Sequence, residues 1–207
     1  ALCPLRFFLL RTFPFGSDGN FTNELLINTI NVDLANVLGN LVSRTTAMAG
    51  KYFGGTLPTG CKTCSAPESF DAALIGMASA LRGAYDAQMD ACAPHNALAE
   101  VFKVIQRANK YIDETMPWAL AKDEEKKARL GTVLYNLLEG IRILSVLIAP
   151  IMPETTKKIA EQLGLEEQTY ESIQTFGGLE AGKKVGVATP LFSRIDKEKL
   201  IEELLTS

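Results

Sequence analysis

Between residues 22 and 51 the apolar side chains Leu26, Ile30, Leu34, Val37, Leu38, Leu41 and Met48 recur at intervals of mostly three and four. An α-helix brings such positions onto one face, because its 3.6-residue turn stacks residues three and four apart. A helix of about eight turns with one greasy face is not stable alone in water, so the chain must supply partner helices. It does. Ser65 and Glu68 have the spacing of a capping box, and Phe70, Leu74, Met77, Leu81, Tyr85 and Met89 continue from them as a second helix that Pro94 stops. Asn96 is placed to cap a third, with Leu98, Val101, Phe102, Ile105, Ala108 and Ile112 inward and Glu100, Lys103, Arg107 and Lys110 on the opposite side. Pro117 disfavours helical geometry at Met116 and breaks this helix just before Trp118. A fourth helix is expected over 123–149, apolar almost all round by its later half, and a fifth from Pro153 to Gly164.

Residues 165–189 have weak periodicity and read as irregular, with short strands allowed, before Asp196 caps a final helix carrying Leu200, Ile201 and Leu204. The expected fold class is all-α: a bundle of about five main helices with a returning C-terminal segment. At 207 residues, 47% hydrophobic and 22% charged, the chain suits one globular domain with appended elements. Residues 1–11 read as the stump of a helix whose upstream context is missing; they lack the basic start, sustained apolar core and cleavage site of a secretory signal. The longest apolar stretch, 143–152, is interrupted by Ser145 and Pro150, so no transmembrane span is expected.

The net charge of −3 offers no general attraction to polyanions, so any nucleic-acid binding must rest on a local patch. The four cysteines are too sparse for a disulfide scaffold and suit a reducing cytoplasm. Cys61 and Cys64 offer half of a zinc site, but no second pair or nearby histidine completes it, and no metal is expected. The single histidine, His95, sits at a helix start as a turn residue. No phosphate-binding or dinucleotide glycine loop occurs, and the carboxylates are plentiful but ordinary.

Two features stand apart. Asp33, Asn36, Asn40 and Arg44 fall within about 80° of one another at α-helical spacing, a polar stripe along one border of the apolar face. Asparagine is a weak helix former, whereas asparagine and arginine both offer paired hydrogen bonds to the edge of a flat base. Alternatively, the asparagines bond to a neighbouring loop. The second feature is Pro117-Trp118 at the broken helix end, where the lone indole is either a core plug or a stacking platform for an unpaired base.

At these residues the chain resembles the methionyl-tRNA synthetase family. The likeness runs through Leu5-Arg6-Phe7-Phe8-Leu9-Leu10-Arg11 and Phe15-Gly16-Ser17-Asp18-Gly19-Asn20-Phe21. It continues in Asp33-Leu34-Ala35-Asn36-Val37-Leu38-Gly39-Asn40-Leu41-Val42-Ser43-Arg44, in Asn109-Lys110-Tyr111-Ile112-Asp113-Glu114 with Pro117-Trp118-Ala119-Leu120-Ala121-Lys122, and in Pro190-Leu191-Phe192-Ser193-Arg194-Ile195-Asp196. The resemblance implies a helical domain that recognises the CAU anticodon of methionine and initiator tRNA. Asn40 and Arg44 would contact bases and Trp118 would stack on one, with Pro117 setting the platform; Asn36 and Asp33 join them from the stripe alone. It also implies that residues 1–20 are the remnant of a junction to a catalytic domain and that 21–207 are the anticodon-binding domain with its C-terminal extension. The family's nucleotide-binding signatures are absent from this chain, so no catalytic residue and no cofactor is expected in it. ATP and methionine chemistry would belong to the parent enzyme, and the expected partners are the tRNA anticodon loop and that catalytic domain, with no membrane. Lys51, Lys103, Arg107, Lys110 and Lys122 are candidates for phosphate contacts. The alternative reading is a helical protein-interaction module without RNA binding.

Overall fold

A computed structural model describes residues 2–56, 69–166, 168–180 and 182–196. Among the described residues the expected helices form, with three differences that matter for the site. Helix α1 (Leu2–Thr12) buries Cys3, Phe7 and Phe8 and leaves Leu2, Leu5 and Leu9 exposed. Helix α2 spans Asn23–Phe53, opened by the Thr22 hydroxyl, which accepts from the Leu25 N–H at 3.1 Å, and closed by Gly54 at φ +60°. Helix α3 (Ser69–Asp90) packs along α4 (Pro94–Thr115). The short α5 (Pro117–Leu120) follows, then α6 (Lys127–Ile148) and α7 (Pro153–Leu163).

The first difference is inside α2, whose middle, Ile30–Gly39, is π-helical rather than α-helical. The second is the start of α4: Pro94 occupies its first turn, so the helix begins before Asn96, in the position where a missing N–H costs nothing. The third is in residues 165–189. The irregular backbone expected there is observed, and the strands allowed for it reduce, among the described residues, to one isolated bridge between Thr56 and Lys184. The capping pair Ser65 and Glu68, the Cys61 and Cys64 pair, and the final helix with Leu200, Ile201 and Leu204 lie outside the described residues.

Helix α6 is the centre of the bundle and is buried on nearly every side from Leu130 onward. Two helices, Asn23–Phe53 and Glu124–Ile148, are long and apolar enough to cross a bilayer, which the interrupted stretch 143–152 had not suggested. The apolar window of the second is 100% buried by the rest of the chain, as a core helix requires.

The expectation that the carboxylates are ordinary fails at two of them. Asp71 is fully buried and takes a bidentate contact from Arg129 at 2.6 and 2.8 Å. The Tyr111 hydroxyl also donates to Asp71, at 2.5 Å, and burial together with this contact pushes the phenol well above its ordinary value. Glu139, also fully buried, pairs with Arg142 at 2.8 Å and accepts from the backbone N–H groups of Gly177, Gly178 and Leu179 at 2.8, 2.8 and 2.9 Å. Arg142 in turn donates to the Ser172 carbonyl at 3.1 Å and to Gln168 at 3.0 Å. A Cβ on Gly178 would lie 2.6 Å from the Arg142 guanidinium, so only glycine lets the backbone come this close. One buried ion pair on α6 therefore organises the irregular segment.

Beyond it the chain returns along α2. The Val185 N–H donates to the Gly55 carbonyl at 2.7 Å, and the Gln162 side chain pairs with the Thr189 backbone through both its groups. At the far end the Asn31 amide pairs in the same way with the Ile195 backbone, at 2.9 and 2.8 Å. The C-terminal segment is thus strapped along the helix that carries the polar stripe, from Gly55 just past its C-terminal end to Asn31 near its start.

Candidate nucleic-acid interface

Helix α4 ends where Pro117 forbids its continuation. Met116 takes the left-handed conformation, φ +45°, which an L side chain tolerates only when its surroundings impose it. Its N–H closes α4 on the Ile112 carbonyl at 3.0 Å, and its own carbonyl accepts from Ala119 and Leu120 at 2.8 and 3.2 Å, opening α5. Pro117 is buried at the first position of α5, and Trp118, next along that turn, is 43% exposed. The indole is therefore no core plug: it is anchored through a rigid neighbour and open to solvent.

Arg44 comes to this place from α2. Its guanidinium is 3.3 Å from Asp113, a turn and a half before Pro117-Trp118 on α4, and a third of the side chain is exposed. An ion pair this open to water is weak and leaves most of the guanidinium's donors free. Asn40, one turn before Arg44, is exposed and has no side-chain hydrogen bond among the described residues.

Asn36 and Asp33 behave differently. The Asn36 amide oxygen accepts from Arg194 at 2.6 and 3.0 Å, so for this asparagine the bond to a neighbouring segment is the reading that holds. Asp33 faces Arg11 at 3.9 Å and is half-buried. Both lie in the π-helical stretch Ile30–Gly39, which turns the backbone less per residue than an α-helix does, and Asn36 still lines one groove with Asn40. Asn40 and Arg44, on the α-helical side, keep their spacing.

Burial raises the Asp33 carboxyl above its ordinary value, against the pull of Arg11. A carboxyl whose folded value is raised favours folding while protonated, and that contribution is lost as pH rises through the raised value. Asp33→Asn is expected to remove this dependence. The melting temperatures of variant and parent should converge in acid, and the variant should be the more stable of the two at neutral pH. A melting series from about pH 3 to about pH 7, which brackets the carboxylate range, checks it.

The structure adds residues that sequence reasoning missed. Ser43, Phe192 and Arg194 join the expected Asn36 and Asn40 in lining a groove of about 490 Å³ between α2 and the returning segment. The segment Pro190 to Asp196 stood out as a motif, but nothing local says that its Arg194 crosses to α2. Of the cations proposed for phosphate, Lys103 is held by Glu100 at 2.7 Å, Lys110 by Glu114 at 3.6 Å, and Arg107 by Glu114 and the Phe70 carbonyl at 2.7 and 3.1 Å. Lys51 lies over the Tyr52 ring, 5.4 Å from its centroid. Among the described residues no group of three or more side chains could hold a metal.

The profile of a family described as the anticodon binding domain of methionyl tRNA ligase matches residues 57–204, and that of class I tRNA synthetases (M) matches residues 3–46. The chain is 54% identical over 202 residues to a methionine--tRNA ligase of Caldanaerobacter subterraneus subsp. tengcongensis, covering 97% of this chain and 31% of that protein. It is 52% identical over 200 residues to that of Clostridium perfringens, covering 97% and 30%. Among solved structures, the free Mycobacterium tuberculosis methionyl-tRNA synthetase superposes with a TM-score of 0.86 at 35% identity, over 94% of this chain and 39% of that one. The same enzyme in complex with methionyl-adenylate gives 0.85 at 36% identity, over 93% and 37%. The chain spans about a third of the length of these relatives.

Proposed function

Since the chain belongs to the family of anticodon-binding domains of methionyl tRNA ligases, we propose that the face carrying Asn40, Arg44 and Trp118 reads the CAU anticodon of methionine and initiator tRNA. What supports this reading is a half-exposed indole after a buried proline, five residues beyond the Asp113 that meets the partly exposed Arg44, together with the exposed amide of Asn40. Unstacked bases are recognised by this combination: an aromatic face for the ring and paired donors and acceptors for its edge. Asn40 and Arg44 take base edges, Trp118 stacks, and Pro117 holds the platform. Asn36 and Asp33 are given supporting roles, because Arg194 and Arg11 already occupy them.

In this reading the anticodon loop of the tRNA is the partner, and methionine activation with ATP and aminoacylation fall to the remainder of a synthetase of the relatives' length, in the cytoplasm. The exposed Leu2, Leu5 and Leu9 of α1, the last two within the stretch that matches the class I synthetase profile, suit a surface covered by that remainder. The chain has a single tryptophan, so its emission reports on one side chain. Titration with an anticodon stem-loop bearing CAU is expected to quench Trp118 saturably, with a much weaker response to a loop changed at the first anticodon base. Equal quenching by both loops would refute base reading.

A further inference from the structure

A π-helical stretch is seldom stable alone; it marks a place where something outside the helix holds the backbone, and such places are frequently functional. In α2 the stretch Ile30–Gly39 ends at the residue before Asn40. Two features maintain it there. A Cβ on Gly39 would lie 3.0 Å from the Leu34 carbonyl oxygen five residues back, so the glycine makes room for the widened turn. The Asn109 amide, from α4, donates to the Val37 carbonyl at 3.1 Å. The Asn109 amide oxygen is buried and has no partner, so one half of this side chain goes unused while the other is committed to α2. Rotating the amide would set oxygen against oxygen, and its orientation is therefore determined.

One turn further along α4, Asp113 meets Arg44. Helix α4 thus grips α2 on both sides of Asn40, at the backbone of Val37 before it and at the guanidinium of Arg44 after it. Resting on the reading given above, we infer that Asn109 is a positioning residue for anticodon recognition. By holding the Val37 carbonyl in the π register it sets the direction in which Asn40 faces relative to Arg44 and Trp118. It touches no base itself.

Two variants of the whole chain test this. Asn109→Asp keeps the size of the side chain and removes the donor; Gly39→Ala crowds the widened turn from inside α2. Hydrogen exchange of the amides of residues 35–40 is expected to quicken by about tenfold or more in each variant, while the amides of α6 stay protected. The preference for a CAU stem-loop over a loop changed at one base should fall about tenfold, the worth of one good base-edge contact. A purely structural role would lower the melting temperature and leave that preference intact. Wild-type exchange over residues 35–40, or wild-type preference, in whichever variant folds overturns the inference. If the unaltered chain shows no preference to lose, the reading of the face falls instead, and the exchange rates alone decide whether Asn109 holds the helix.

Discussion

Glu139→Ala is expected to lower the unfolding free energy by about 3 to 5 kcal/mol, the cost of leaving a buried charge without its partner. Three consequences follow from the removal of one carboxylate. The Arg142 guanidinium, 1% exposed, keeps only the Ser172 and Gln168 contacts, neither of which is charged. The N–H groups of Gly177, Gly178 and Leu179 lose their common acceptor. The irregular segment then has less reason to stay against α6, although the Tyr135 hydroxyl still donates to the Leu179 carbonyl at 3.0 Å. A domain of this size has about 5 to 15 kcal/mol in all, so this variant should unfold at far lower urea. Glu139→Gln, which retains one acceptor oxygen, should fall between the two. The double variant Glu139→Leu with Arg142→Leu should recover only part of the loss: an apolar pair needs no compensation, but the carboxylate that Gly178 and Leu179 donate to is gone. Helical circular dichroism against urea is the measurement. A loss under about 1 kcal/mol for Glu139→Ala would mean that water reaches the site.

Why this pair was illegible beforehand is instructive. Glu139 and Arg142 stand three residues apart on a helix, the spacing of a solvated surface pair, and only the apolar surroundings of α6 argue otherwise. Local signals were read well because they act locally: Pro117 as a break and Gly164 at φ +63° as a closure each depend on a handful of neighbouring atoms. What escaped depends on partners far away in the chain. The π register of α2 is held by Asn109, 72 residues from Val37, and Asn36 is claimed by Arg194, 158 residues away. An α-helical wheel placed Asp33, Asn36, Asn40 and Arg44 in one stripe; the fold gives three of them partners, Arg11 to Asp33, Arg194 to Asn36 and Asp113 to Arg44, and leaves the Asn40 side chain without a hydrogen bond among the described residues. The candidate site was therefore legible in its residue types and in the α-helical half of its geometry, and the remainder required the fold.

For the open half the expected result is a loss of RNA affinity without a loss of fold. Trp118→Ala should weaken binding of a CAU stem-loop by about 1 to 3 kcal/mol, roughly 5- to 150-fold, the usual worth of one base stacked on an aromatic side chain. Arg44→Ala should cost a similar amount by removing paired donors to a base edge, and it should also flatten the preference for CAU, whereas Trp118→Ala should weaken matched and mismatched loops more evenly, since every base offers a face to stack on. The indole is 43% exposed and its anchoring is done by the buried Pro117, so truncation should leave the helical signal in place. Binding measured by a label on the RNA, at fixed salt, compares all three proteins without relying on the tryptophan that one of them lacks. If Trp118→Ala instead collapses the helices, the side chain is part of the packing and the exposed face is incidental. If both variants bind as the parent does, bases are read elsewhere on the chain, and the open amide, guanidinium and indole are ordinary surface.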